Sequence, residues 1–294
     1  MTFLDDDAVG RLRDALGTPD LSGTRYELLG TLGRGGMGTV YRVLDHELQR
    51  EVALKVLDVD DDELLPGEAR VAARLEHPGI VPVHDLGRLP DGRLYFTMKL
   101  VRGERLDRWA AAPRPLPERL AVLQRLCETA AFAHAHGVVH RDLKPQNVMV
   151  GTFGEVLVMD WGVALLRGSG QAGTVAGTRG FMAPEQAAGA SDVDARADVH
   201  ALGALLRWLT GDAAPAPLRA IAARATAAAP ADRYAGALEL SADVGRFLAG
   251  EAVQAHREGA LERVVRLAAR HRTALLLVAG YLLVRVLLVI ASRA

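Results

Sequence analysis

A chain of 294 residues, half of them hydrophobic, is long enough to bury a sizeable core and is not a disordered protein. Its 35 Lys and Arg nearly balance 36 Asp and Glu, so no global field attracts polyanions and a nucleic-acid partner is not expected. The single cysteine, Cys127, excludes an intramolecular disulfide and a Cys-rich metal site, and amid Leu120, Val122, Leu123 and Leu126 it reads as a buried thiol rather than a nucleophile.

The acidic N-terminus (Asp5, Asp6, Asp7) lacks the basic and apolar regions of a secretory signal, which leaves the bulk of the chain in the cytoplasm. Residues 1–24 form a polar extension in which Val9, Leu12 and Leu16 predict a short amphipathic helix. β-rich runs at 26–32, 39–44 and 51–57 then read as consecutive antiparallel strands. A helix is predicted over 68–75, followed by strands at 80–86 and 93–100. After Gly103 the pattern turns helical: 116–136 carries apolar residues at three- and four-residue intervals and stops at Gly137. Two short strands near 148–150 and 156–158 precede a largely helical 183–248. Strands first and helices afterwards predict an α+β protein in two lobes, N-lobe 25–99 and C-lobe 103–250.

The residues Gly33, Arg34, Gly35, Gly36, Met37, Gly38, Thr39 and Val40 form a G-x-G-x-x-G-x-V loop, and glycines there let backbone approach phosphate oxygens. Such a loop alone is weak evidence, since a structural hairpin gives the same pattern. A dinucleotide site would need a helix directly behind it, but the β-branched 39–44 reads as strand. Lys55 ends the apolar strand Val52-Ala53-Leu54-Lys55 at an interval that sets it over the same nucleotide, with Glu68 as the candidate carboxylate to fix its ammonium. The plainer readings are a solvated edge lysine and a surface glutamate.

Further on, His140-Arg141-Asp142-Leu143-Lys144-Pro145-Gln146-Asn147 is followed by a strand pair and Asp160-Trp161-Gly162. In this order the motifs resemble those of the eukaryotic-like Ser/Thr protein kinases of bacteria, and Ala183-Pro184-Glu185, Asp198 and Arg233 extend the resemblance over 26–250. The resemblance implies a bilobal kinase domain over 25–250 that transfers the γ-phosphate of Mg-ATP (Mn2+ being an alternative ion) to protein Ser/Thr hydroxyls, with autophosphorylation. Asp142 would orient the substrate hydroxyl, Lys144 would reach the γ-phosphate, Lys55 and Glu68 would position ATP, and Asn147 and Asp160 would hold the metal. The resemblance puts Leu32, the loop residues 33–38, Val40, Ala53, Met98 and Met149 around the nucleotide, and a Glu185–Arg233 ion pair and an Asp198 brace in the C-lobe. The other class of reading, a membrane-tethered pseudokinase or nucleotide-binding scaffold, would require loss of one of these groups, and none is lost.

Two departures stand out. Trp161 replaces the usual phenylalanine, which requires a partner for the indole N–H. The segment that normally forms a substrate-docking helix after Thr210 is nearly absent. In the loop ahead of Glu185, Thr178 is expected to contact the catalytic loop. Thr174 is the candidate activating phosphosite, because Arg141 offers a positive site for a phosphate there; a solvated loop threonine is the equal alternative. Behind a basic segment at 251–272 (Arg263, Arg266, Arg270, Arg272), residues 273–291 carry one charge, Arg285. They predict a single-pass transmembrane helix with the kinase domain on the cytoplasmic side, rather than a helix docked on protein.

Overall fold

The computed structural model describes residues 18–35, 38–57, 74–161, 165–166 and 178–291. Strands β1 (Tyr26–Gly35), β2 (Gly38–Asp45), β3 (Arg50–Val56), β4 (Val83–Arg88) and β5 (Leu94–Lys99) make an antiparallel sheet in the order β1-β2-β3-β5-β4. Successive strand residues face opposite ways and directly opposed residues share a face. The registers Gly33↔Val40, Val40↔Lys55, Lys55↔Phe96 and Ala53↔Met98 therefore gather Val40, Ala53, Lys55, Phe96 and Met98 on one face. On the other face Tyr41, Val43, Val52, Leu54, Val56 and Tyr95 pack with Tyr26 and Leu89. Val43 and Leu54 are wholly buried, which is worth roughly 1.5–3 kcal/mol for each side chain. At Gly38 the backbone has φ 140°, and an added Cβ would strike the Val56 carbonyl, so only glycine lets β2 start this close to β3. The helix expected over 68–75 lies outside the described residues except at its end, as does the one expected within 1–17.

The second lobe opens with a small sheet, β6 (Gly103–Arg105), β8 (Val148–Gly151) and β9 (Val156–Val158), while β7 (Val138–Val139) pairs with β10 (Leu165–Leu166). Its helices are α1 (Leu106–Trp109), α2 (Leu116–Ala135), α3 (Pro184–Ala187), α4 (Arg196–Thr210), α5 (Ala216–Ala225) and α6 (Ala237–Leu248). Helix α2 carries a proline in its first turn, where no backbone donor is needed, and is followed by Gly137 at φ 75°. It buries Leu120, Leu123, Leu126 and Cys127 against the core. Helix α4 is apolar nearly all round and occupies the centre of the lobe, with Val199, Leu202, Leu205 and Leu206 fully enclosed. Residues 211–215 alone join α4 to α5, so no docking helix stands between them, and Trp208 near the end of α4 is 40% exposed.

Two further helices, α7 (Ala260–Arg270) and α8 (Arg272–Ala291), complete the chain. The apolar run is helical as expected, but the expected crossing is not met: among the described residues no helix is long and apolar enough to cross a membrane.

Candidate active site

The connection from β7 to β8 is a loop whose shape is set from beneath. Asp198, on α4 and almost wholly buried, accepts the backbone N–H of His140 at 2.8 Å and that of Arg141 at 2.8 Å, and its Oδ2 meets His134 Nε2 at 2.8 Å. Two successive N–H groups converge on one carboxylate because Arg141 adopts φ 70°. For a side chain with a Cβ that conformation costs about 1–2 kcal/mol, which charge-assisted bonds to a buried acceptor offset. Burial pushes the Asp198 carboxyl up, but the His134 bond and the loop N–H groups prevail and hold it below the usual carboxylate range.

Braced in this way, the loop carries Asp142, Lys144 and Asn147 to the mouth of the cleft. Thr178 Oγ1 donates to Asp142 Oδ1 at 2.9 Å and accepts from Lys144 Nζ at 2.7 Å, and Lys144 Nζ also lies 2.7 Å from Asp142 Oδ2. Asn147 Nδ2 donates to the Asp142 carbonyl at 2.8 Å and to Asp142 Oδ2 at 3.1 Å. Both bonds use the amide nitrogen, so the amide oxygen is the atom Asn147 has left for a cation. The Asn147 carbonyl accepts from Met159 N at 2.9 Å, which ties this loop to the strand end that carries Asp160.

Asp160 sits at φ 63°, with Oδ1 2.8 Å from Lys55 Nζ. Burial raises its carboxyl, but Lys55 outweighs burial, assisted by His140 and Lys144, and the group is held below its ordinary value. Lys55 itself is buried, with its ammonium 5.7 Å from the Phe96 ring centroid. The face of the β-sheet that bears Lys55 thus meets the lower lobe through this pair. Asp160 and Asn147 offer hard oxygen ligands, and Mg2+ is ordinarily held through one or two carboxylates together with substrate phosphates, so the donor set fits that ion. Among the described residues no cluster of three His, Cys, Asp or Glu offers another metal site.

Trp161 is buried against His140, ring centroids 4.7 Å apart, and among the described residues its indole N–H finds no acceptor, where a partner was expected for it. Below the cleft Glu185 and Arg233 form the expected fork-to-fork pair at 2.6 and 2.7 Å, and the remaining Arg233 donors reach the carbonyls of Arg196, Ala227 and Ala228. Of the expected nucleotide-binding residues, Leu32 is half exposed, Ala53 is buried, and Val40, Met98 and Met149 are partly buried. Gly36, Met37, Glu68 and Thr174 lie outside the described residues.

Sequence reasoning missed three supports. His134 stands outside every motif and serves Asp198. Gln186 Nε2 donates to the Arg141 carbonyl at 2.5 Å. Asp243, which has no motif around it, accepts Tyr234 Oη at 2.8 Å and the backbone N–H groups of Gln254 and Ala255 at 2.8 and 3.0 Å. Only the apolar spacing of α6 hinted that position 243 faces inward.

The chain is similar to known protein kinases over much of its length. The chain is 46% identical over 198 residues to the DNA damage-responsive serine/threonine-protein kinase RqkA of Deinococcus radiodurans, which covers 62% of this chain and 29% of that protein. It is 37% identical over 283 residues to the serine/threonine-protein kinase PknB of Mycobacterium tuberculosis, covering 81% and 45%. Against the serine/threonine-protein kinase PknD of Chlamydia felis it is 32% identical over 293 residues, covering 77% and 31%. The chain thus spans less than half the length of these relatives. The Protein kinase domain family matches residues 26–229, through both lobes and most of the chain, and the chain belongs to that family.

Proposed function

We propose that this chain is an ATP-dependent Ser/Thr protein kinase. The observation that carries the reading is the Asp142–Lys144–Thr178 triangle, a carboxylate, an ammonium and a hydroxyl within 2.9 Å of one another, closed beneath the Lys55–Asp160 pair. Phosphoryl transfer asks a protein mainly for positioning and charge neutralisation. Asp142 is placed to orient a substrate hydroxyl and take its proton, and Lys144 to meet charge on the transferred phosphoryl group. Lys55 would hold the α- and β-phosphates from the sheet side, while Val40, Ala53 and Met98 border the base. Asp160 and the Asn147 amide oxygen would hold Mg2+, which when bound neutralises charge on the phosphates. Thr178 brings the segment ahead of Glu185 to the catalytic carboxylate, so a polypeptide received there would present its hydroxyl to Asp142.

Incubating the purified chain with Mg-ATP and a generic Ser/Thr peptide should give phosphopeptide and autophosphorylated protein. Asp142→Asn and Asp160→Asn should each lower the rate at least about 10²-fold. An Asp160→Asn protein with wild-type turnover, or a wild type that binds ATP but transfers nothing, would refute the assignment.

The same chain is proposed to associate with a lipid bilayer through α8. Leu275, Leu276, Leu277 and Val278 are 51%, 71%, 71% and 55% exposed, and Leu282, Leu283, Val284, Leu288 and Ile290 are likewise exposed. Four successive positions span more than one helical turn, so apolar side chains point in every direction. A protein partner covers one stripe of a helix, and α8 has no single apolar stripe to offer one.

A further inference from the structure

Helix α7 is turned the wrong way round for a soluble protein. At 3.6 residues per turn Glu262, Arg263, Arg266 and Arg270 fall within an arc of about 100°. An amphipathic helix on a globular body normally turns its polar arc to water. Here Arg266 and Arg270 of the polar arc are tied to the chain itself. Arg266 grips Glu258 at 2.6 and 2.9 Å and donates to the Gly250 carbonyl at 3.3 Å, Arg270 reaches Glu251 at 3.3 Å, and Glu262 accepts from Gly259 N at 3.0 Å. The segment that supplies these groups is itself fastened to the C-lobe, through buried Val253 and through Asp243, which accepts from Gln254 and Ala255. The opposite arc points away, with Leu261 77%, Val264 63% and Val265 60% exposed.

We propose that α7 lies along a bilayer surface with Leu261, Val264 and Val265 in the boundary between headgroups and acyl chains. Its arginines clamp it to Glu251 and Glu258 and so fix the orientation of the catalytic lobe on the membrane. The proposal rests on the bilayer association of α8. The occupant is lipid rather than a second copy because the apolar arc runs directly into α8, whose apolar side chains face all directions and are satisfied only by a surrounding medium. It also differs from a basic electrostatic tether. Arg266 and Arg270 are matched by the chain's own carboxylates, so apolar contact supplies the attachment and salt should not release it.

The test uses the full chain reconstituted with vesicles of phosphatidylcholine and phosphatidylglycerol, the former carrying brominated acyl chains. An environment-sensitive fluorophore is placed in turn at Val264→Cys, Arg263→Cys and Leu283→Cys; Cys127 is fully buried and takes no label in the folded chain. The expected result is loss of emission at positions 264 and 283, little at 263, and no change between low and high salt. Quenching at 283 without quenching at 264 would overturn the α7 proposal and leave the bilayer reading of α8 standing. No quenching at either position would overturn both, and quenching at 264 that disappears in high salt would overturn the clamp.

Discussion

The carboxylates of the C-lobe brace and those of the cleft are the same chemical group put to opposite uses. Asp198 and Asp243 are almost wholly buried, and each spends its oxygens on three or more donors, including successive backbone N–H groups. Asp160, by contrast, has a side chain 49% exposed, and Asp142 is bound by side chains that are themselves candidates for handling phosphate. A carboxylate saturated by fixed donors has no oxygen to offer a reaction and holds a loop in shape. Asp160, half exposed beside Lys55, keeps oxygen open for a metal, and the donors around Asp142 are side chains that can exchange partners during proton transfer.

The sharpest way to break this contrast is to remove one charge from each class. Asp198→Asn leaves convergent N–H groups facing an amide inside the protein and should lower stability by about 3 kcal/mol or more, read from denaturant unfolding. Asp142→Asn, whose donors are side chains at the mouth of the cleft rather than fixed backbone N–H groups, should cost less, about 1–2 kcal/mol, yet remove activity. Equal stability losses would dissolve the distinction.

A smaller effect should appear in acid. Asp198, Asp243 and Glu185 all have carboxyls held below their ordinary values: burial raises each, but His134, the Gln254 N–H and Arg233 respectively prevail. A folded state with a depressed carboxyl pKa binds fewer protons than the unfolded chain. The stability it contributes is therefore present above about pH 4, the unfolded value, and is lost as pH falls through the folded value. Urea midpoints should fall on acidification below about pH 4, and Asp243→Asn should flatten that fall. An unchanged acid slope in the variant would show that Asp243 is not one of the groups involved. The smallest effect belongs to Trp161→Phe. The change deletes an N–H that has no acceptor among the described residues but also trims a buried ring, so the two effects oppose and stability should shift by no more than about 1 kcal/mol while phosphotransfer persists. A clear loss of stability on thermal unfolding would mean the indole makes a contact of value.

Much of this was legible in the residues. The resemblance put Val40, Ala53 and Lys55 around one nucleotide, and the strand registers set them on one sheet face, as a period of two requires. The Asp142 and Asp160 positions could be read because their local motifs carry them. His134 and Asp243 could not, since their partners lie 64 residues away in one case and in a motif-free stretch in the other. Helix α7 escaped for a different reason. Periodicity divides a helix into two faces, and only the positions of Glu251 and Glu258 decide which one meets the protein. The apolar run of α8 was read correctly as helix, while the crossing expected of it is not met.

Trp161 has one more consequence. Trp109 is buried elsewhere in the C-lobe core and Trp208 sits at the protein surface, which leaves Trp161 as the indole beside a candidate metal-holding carboxylate, tilted against the His140 imidazole. Where a phenylalanine would be optically silent, the cleft carries its own fluorescent reporter, and the arrival of nucleotide at Asp160 becomes a spectroscopic event in the unlabelled protein.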